Sequence, residues 1–217
     1  MLLLGILTFF ILKSNQIKKE KSTPSAHIPI SVFFNNSGTL KAFAGAFFLM
    51  FSQGVIAYLL PLKVQSLGFD SRLSGTLMST FGIIAVLVFI LPTNRIFDKV
   101  APIKTLSLGI GLMGVSQLLI SQADSSTLLY LAMVCYGIGF GFLFPSINSL
   151  LIDSTTADIR GKAYGYFYAF FSLGVVLGSS LLGWLSLGIV GGFIFTGIVL
   201  LVFASTILIP YKRPSHA

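Results

Sequence analysis

An all-α integral membrane protein, built as a bundle of six transmembrane helices, is the fold class that this sequence predicts. Hydrophobic residues make up 55% of the 217 residues and charged residues only 9%, whereas a soluble domain carries about 25% charged residues. Five stretches contain no Asp, Glu, Lys or Arg, and each is close to or longer than the roughly 20 residues that a helix needs to cross a bilayer. These stretches are 42–62, 73–94, 105–123, 125–152 and 163–211.

The last uncharged stretch is too long for a single helix. At about 1.5 Å per residue, 163–211 would extend about 70 Å, more than twice the thickness of the hydrocarbon layer. We therefore predict a helical hairpin with its turn near 187–192, where three glycines cluster. The six predicted spans lie near 40–61, 73–93, 105–121, 127–151, 163–185 and 190–210.

The chain before the first full span divides into two parts. Residues 1–12 are apolar but too few to cross a bilayer as a helix, so we interpret them as the end of a partial transmembrane helix. Residues 13–37 contain several lysines together with Pro24 and Pro29, a composition that predicts a linker. The six-helix bundle is then formed by residues 38–217.

Basic residues alternate from one side of the predicted membrane to the other. Segment 13–41, loops 94–104 and 153–162, and the C-terminal tail hold every Lys and Arg except Lys63 and Arg72. Since cytoplasmic loops of membrane proteins are enriched in basic residues, we predict a multi-pass protein of the cell membrane with a cytoplasmic linker and C-terminus.

The composition excludes several classes of function. The net charge of +8 comes from residues that flank the spans, so it does not indicate a nucleic-acid partner. Cys135 is the one cysteine, and the two histidines, His27 and His216, lie in polar flanks, so we expect no metal site, no haem and no other cofactor. Neither a Ser–His pair nor paired aspartates occur within the spans, which argues against an intramembrane protease, and we predict that the protein is not an enzyme.

Three segments resemble parts of a known transporter family. Pro92-Thr-Asn-Arg-Ile-Phe-Asp98-Lys-Val-Ala-Pro-Ile-Lys104 resembles the Gly-x-Leu-Ala-Asp-Arg-x-Gly-Arg-Lys loop of the major facilitator superfamily, although Asn94 and Ala101 replace its usual glycines. Arg160-Gly-Lys-Ala-Tyr-Gly165 is similar to the start of the family's eleventh helix. Tyr136-Gly-Ile-Gly-Phe-Gly-Phe-Leu-Phe-Pro145 resembles its tenth helix.

The resemblance implies half of a twelve-helix major facilitator fold. Residues 1–12 would match the end of helix six, 13–37 the central loop, and 38–210 helices seven to twelve. In the family two six-helix bundles enclose the substrate site and rock about it. The expected partners are therefore a small-molecule substrate and either the missing N-terminal half or a second copy of this chain.

The loop that carries the first resemblance has two interpretations. Arg95, Asp98 and Lys99 could form a cytoplasmic gate, because the family's loop pairs with the opposite half. They could equally be basic flanking residues with one compensating acid.

The glycines of the fifth span also have two interpretations. Small residues let membrane helices approach closely, and Gly174-x-x-x-Gly178 fits that pattern. Gly165, Gly174, Gly178 and Gly183 could be the packing face of a helix that rocks during transport, or they could pack statically.

Several polar and aromatic residues within the spans are candidates for the wall of a substrate cavity. Burying a polar side chain in a membrane is unfavourable unless it is hydrogen-bonded or faces water, and Pro145 could bend an aromatic-rich helix. The alternatives are bonds between helices, anchoring at the interface and contact with lipid. The candidates are Gln53, Tyr58, Tyr136, Phe140, Phe144, Asn148 and Tyr168.

Two functions remain open at this point. The first is a proton-coupled permease, an antiporter that exports small amphipathic compounds by alternating access and is incomplete as this single chain. No span centre contains a charged residue or histidine, so a coupling acid would belong to the other half. The alternative is a non-transporting remnant or accessory bundle of a truncated transporter gene.

Overall fold

The structure of the protein, a computed structural model, describes residues 31–90 and 100–208, and every regular element there is an α-helix. A short helix precedes six long ones. The helices are α1 (Ser31–Asn35), α2 (Ser37–Ser66), α3 (Arg72–Ile90), α4 (Pro102–Gln122), α5 (Ser126–Asp153), α6 (Ala157–Leu185) and α7 (Gly188–Ile207).

The six long helices confirm the prediction of an all-α bundle with six candidate membrane-spanning helices. Each is apolar enough and, at 19 to 30 residues, long enough to cross a membrane. Several extend beyond the charge-free stretches, because a charged side chain at a helix end can satisfy a carbonyl of a neighbouring helix. Lys63 lies inside α2 and donates from Nζ to the carbonyl oxygen of Ser121 at 3.1 Å. Residues 1–12 and most of the linker lie outside the described part of the chain.

Asn36 fixes where α2 begins and what it packs against. Its Oδ1 accepts hydrogen bonds from the backbone N–H groups of Gly38 and Thr39, which would otherwise lack partners in the first turn. Its Nδ2 donates to the carbonyl oxygen of Ser154 at 2.8 Å. The start of α2 is therefore attached to the turn between α5 and α6.

The turn between α6 and α7 lies slightly earlier than predicted. Ser186 and Gly188 have φ values of 49° and 69°, in the left-handed region that favours glycine. This reversal places the turn at 186–188, and Gly191 and Gly192 fall inside α7 instead of in a loop.

The helices differ greatly in how much of their surface other helices cover. α2 packs against α5, α6 and α7, while α4 packs against α5 and α7, and α3 lies mainly on α5. In the most apolar stretch of α2, 67% of the residues are buried, against 17% for both α3 and α6. α3 and α6 therefore present the least covered faces of the bundle.

Pairs of glycines allow two close helix crossings. A Cβ placed on Gly109 of α4 would lie 2.7 Å from the carbonyl oxygen of Gly139 of α5, and the reverse distance is the same. Gly114 of α4 and Gly197 of α7 are related in the same way at 3.0 Å. At both crossings a backbone carbonyl faces the glycine, and it cannot move aside as the end of a flexible side chain could.

Candidate functional site

Tyr136 lies at the centre of a polar cluster in the core of the bundle. Its side chain is completely buried, and the ring packs edge-on against Phe81 with 5.3 Å between centroids. The hydroxyl donates its single proton towards two acceptors, Ser52 Oγ at 3.0 Å and Gln53 Oε1 at 3.2 Å. The structure thus joins two of the predicted cavity residues, Gln53 and Tyr136, by a hydrogen bond between α2 and α5.

Gln117 of α4 completes this cluster. It was not among the cavity residues predicted from the sequence. Its Nε2 donates to Ser52 Oγ at 2.9 Å and to the Ser52 carbonyl oxygen at 3.3 Å. Gln117 is fully buried, and its Oε1 is a buried acceptor without a hydrogen-bond partner. The sequence signal that could have identified Gln117 is an uncharged amide within an apolar helix. Polar residues buried in membrane helices usually have a function.

Phe140 and Phe144 belong to an aromatic ladder along the seam between α3 and α5. Phe140 meets Phe81 edge-on at 5.3 Å and stacks on Phe144 with 6.0 Å between ring centroids. Phe144 also contacts Phe89 at 6.3 Å. Both rings are only partly buried, so each has one side in the seam and one side open. Phe81 contacts both Tyr136 and Phe140, and so connects the ladder to the polar cluster.

Asn148 links α5 to α6 near the turn between them. Its Nδ2 donates to the carbonyl oxygen of Phe144 one helical turn earlier, and its Oδ1 accepts a bond from the Tyr164 hydroxyl at 3.4 Å. Tyr168 follows Tyr164 on α6, with 6.4 Å between their rings, and 58% of its surface is exposed. Asn148 and Tyr168 therefore lie at one end of the bundle and have no direct bond to the Gln53–Tyr136 pair.

Tyr58 stands apart from the other candidates. It is 42% exposed on α2, and a Cβ on Gly183 would lie 3.9 Å from its hydroxyl oxygen. The structure thus gathers most of the candidates into the cluster and the ladder but leaves Tyr58 and Tyr168 on open surface.

The predicted glycines of α6 separate into two groups. A Cβ on Gly174 would collide with the backbone of Phe47, and one on Gly178 with the backbone of Phe51, so both glycines lie in the seam with α2. A Cβ on Gly165 meets nothing within 4 Å, and one on Gly183 only approaches Tyr58. A packing role for Gly165 or Gly183 would need a helix from outside this bundle.

Two further predictions concern the cytoplasmic gate loop and the absence of a metal site. Arg95, Asp98 and Lys99 lie in 91–99, outside the described residues. Within 31–90 and 100–208, no three His, Cys, Asp or Glu side chains are close enough to hold a metal ion. Cys135 contacts the carbonyl oxygen of Leu112 through its Sγ at 3.5 Å.

The comparison with known proteins settles the family. The sequence profile of the Major Facilitator Superfamily matches residues 42–217, which is all of the six-helix bundle from the first turns of α2 onward. The chain belongs to the major facilitator superfamily. This is a family of multi-pass membrane transporters, not of enzymes, and the loop and helix motifs had predicted it.

Curated relatives of this superfamily member include three proteins whose names refer to drug resistance. The multi-drug resistance efflux pump PmrA of Streptococcus pneumoniae is 29% identical over 81% of this chain and 45% of its own length. Multidrug resistance protein 2 of Bacillus subtilis is 25% identical over 70% of this chain and 38% of its own length. Quinolone resistance protein NorA of Staphylococcus aureus is 22% identical over 64% of this chain and 36% of its own length. The chain therefore spans less than half the length of these relatives.

Proposed function

We propose that this chain is one wall of an alternating-access transporter that exports small amphipathic compounds in exchange for protons. The observation that carries the proposal is the match of a single six-helix bundle to less than half of a relative named as an efflux pump and of another named for multidrug resistance. Transporters of this kind place the substrate between two bundles. The chain then acts only together with a second six-helix bundle.

The two least covered helices, α3 and α6, offer surfaces on which a second bundle could pack. Small residues recur on the exposed side of α6 at a spacing of about one helical turn, and α3 has a similar row. In membranes such rows let helices approach closely, and van der Waals packing then drives association. A Cβ on the glycines of these rows meets nothing within 4 Å. The rows are Gly161, Gly165, Ala169 and Ser172 on α6, and Gly75, Ser79 and Gly82 on α3.

The lining of the site favours aromatic, uncharged or weakly polar cargo. The ladder of Phe81, Phe140 and Phe144 offers flat apolar surfaces, and Gln53 offers an amide beside them. The stretches that hold these residues, 42–62, 73–94 and 125–152, contain no Lys or Arg that would select phosphates. This lining agrees with the names of the relatives, which refer to multidrug and quinolone resistance.

Proton coupling would require an acid from the second bundle. The acids in the described part of the chain, Asp70, Asp124, Asp153 and Asp158, all lie in loops or at helix ends. A coupling group must titrate within the membrane, where an ionisable residue is usually functional. We therefore assign the proton-carrying carboxylate to the partner bundle and the apolar cargo surface to this one.

The flux of a fluorescent quinolone, norfloxacin, tests the proposed function. The protein would be purified from its own membrane with any bundle that accompanies it and reconstituted into liposomes. We expect saturable flux that needs a proton gradient and stops when an uncoupler dissipates it. Liposomes without protein provide the control. An absence of flux would instead favour the accessory or remnant alternative, and flux without a gradient would contradict the coupling.

We further propose that segment 13–37 and the α5–α6 turn face the cytoplasm, because the basic residues lie on that side. Labelling of single cysteines tests this, in a background in which Cys135 is replaced by serine. Ser71→Cys, before α3, should react with a membrane-impermeant maleimide in intact cells. Ala157→Cys, at the start of α6, should react only after permeabilisation. Both positions are exposed, so the reverse pattern would invert the topology.

A further inference from the structure

Gln53 is the one member of the polar cluster that is not completely covered. Ser52, Gln117 and Tyr136 are fully buried, whereas Gln53 is partly exposed on the side of α2 that other described helices leave open. Its Oε1 already accepts a bond from Tyr136 at 3.2 Å. A side-chain amide has one oxygen acceptor and one NH₂ group with two donors. With its oxygen engaged, Gln53 has its NH₂ group to offer.

The NH₂ group of Gln53 has no hydrogen-bond partner in residues 31–90 and 100–208, and it is not among the buried unpaired atoms. This donor group is therefore not fully buried and has no partner among the described residues. The aromatic ladder begins nearby, because Phe81 contacts the ring of Tyr136 at 5.3 Å and Phe140 at the same distance. A donor thus stands beside a row of flat apolar rings.

The rest of the cluster connects the Gln53 amide to the buried core of the bundle. Gln117 Nε2 reaches both the hydroxyl and the carbonyl oxygen of Ser52. A carbonyl oxygen can only accept, so this amide cannot be reversed without losing a buried bond. Gln117 thereby orients Ser52, and Tyr136 donates to both Ser52 Oγ and Gln53 Oε1, which places the carbonyl of Gln53 on the inner side. The cluster is a positioning device that reaches from α4 through α5 to the exposed amide on α2.

We propose that Gln53 is a specificity-determining residue that donates a hydrogen bond to a carbonyl or carboxylate oxygen of an aromatic ligand lying on the Phe81–Phe140 surface. Tyr136 is a positioning residue that keeps the donor end of Gln53 outward. The inference rests on the proposed function, because it specifies which substrates the proposed transport site would prefer. The Gln53 donor selects amphipathic aromatic compounds that carry a hydrogen-bond acceptor over equally apolar compounds that lack an acceptor.

Two compounds of nearly equal shape test this selection. Acetylnaphthalene carries a carbonyl acceptor, and ethylnaphthalene has a CH₂ group in its place. We expect the purified protein, with any bundle that accompanies it, to bind the ketone about tenfold more tightly, as one well-placed hydrogen bond allows. Radiolabelled ligand binding measures the ratio of the two dissociation constants. The carbonyl stretching band of the bound ketone should also shift to the frequency of a hydrogen-bonded carbonyl.

Gln53→Glu is the decisive variant, because a carboxylate still accepts from Tyr136 but cannot donate. The preference for the ketone should fall to about one, and naphthylmethylammonium should bind more tightly than to the unsubstituted protein. Gln122→Glu makes the same chemical change at the exposed end of α4 and should leave all three affinities unchanged. Tyr136→Phe should weaken the preference several-fold without affecting ethylnaphthalene, whereas a merely structural role would weaken both compounds equally.

The outcomes separate this inference from the proposed function. If the unsubstituted protein binds both naphthalenes equally and still transports norfloxacin, the role of Gln53 is wrong and the transporter assignment stands. If Gln53→Glu keeps the tenfold preference, another group donates to the ketone and the inference is also wrong. Binding of neither compound by a protein that is monodisperse contradicts both the inference and the proposed cavity. Gln53→Leu, which should still bind ethylnaphthalene, shows that the site is folded.

Discussion

Replacing Gly139 with leucine is expected to destabilise the six-helix bundle by more than about 3 kcal/mol. Inserting extra volume into a packed core costs about 1–3 kcal/mol when side chains can adjust. At this crossing a Cβ would lie 2.7 Å from the carbonyl oxygen of Gly109, and a backbone carbonyl cannot rotate away. Helices α4 and α5 would have to separate. The yield of monodisperse protein after detergent extraction, and its thermal midpoint, measure this loss.

Gly82→Leu is the matched control for this prediction. Gly82 lies within the span of α3, but a Cβ there meets nothing within 4 Å. The bundle should tolerate leucine at this position and even gain slightly, because glycine is a poor helix former. If Gly139→Leu extracts and melts like the unsubstituted protein, the glycine crossing between α4 and α5 does not hold the bundle together.

Replacing Gly165 with tryptophan is expected to abolish pairing with the second bundle while leaving the six helices folded. Gly165 lies on the exposed row of α6, where a Cβ has open space within this chain. A large ring there would hold a partner helix away, and association in membranes depends on close approach. We expect transport to fall at least tenfold, which corresponds to a loss of about 1.4 kcal/mol of pairing free energy. Copurification of the second bundle and norfloxacin flux measure it.

Val202→Trp provides the comparison for the α6 variant. Val202 is 56% exposed on α7, a helix whose side chains are almost entirely apolar and which we expect to face lipid. Tryptophan there should change neither copurification nor flux. If both variants impair pairing equally, or if neither does, the exposed row of α6 is not the docking face.

The spans could be predicted from the sequence because charge is excluded from the bilayer core. Uncharged stretches located all six helices, but their ends were less certain. Lys63 lies inside α2 because its ammonium group reaches the carbonyl oxygen of Ser121. Asp158 and Arg160 likewise lie in the first turn of α6. A helix can therefore continue past a charge when that charge finds a partner or reaches the interface.

The partners within the candidate site could not be predicted in the same way. Gln53 and Tyr136 were identified one by one as polar residues in apolar spans, but their bond was not foreseen. A helix that is apolar on all sides gives no periodic signal for the direction each residue faces. Ser52 and Gln117 were missed for that reason. The seam of Gly174 and Gly178 was visible from local spacing, whereas the Gly109–Gly139 crossing joins two helices and needs the fold.

The native mass of the species that transports tests the central claim most directly. The tagged protein would be released from its own membranes, assayed for norfloxacin flux, and measured by native mass spectrometry after removal of lipid and detergent. We predict that the active species contains two six-helix bundles and has roughly twice the 23.4 kDa of this chain. An active species with the mass of one 23.4 kDa chain would contradict the account.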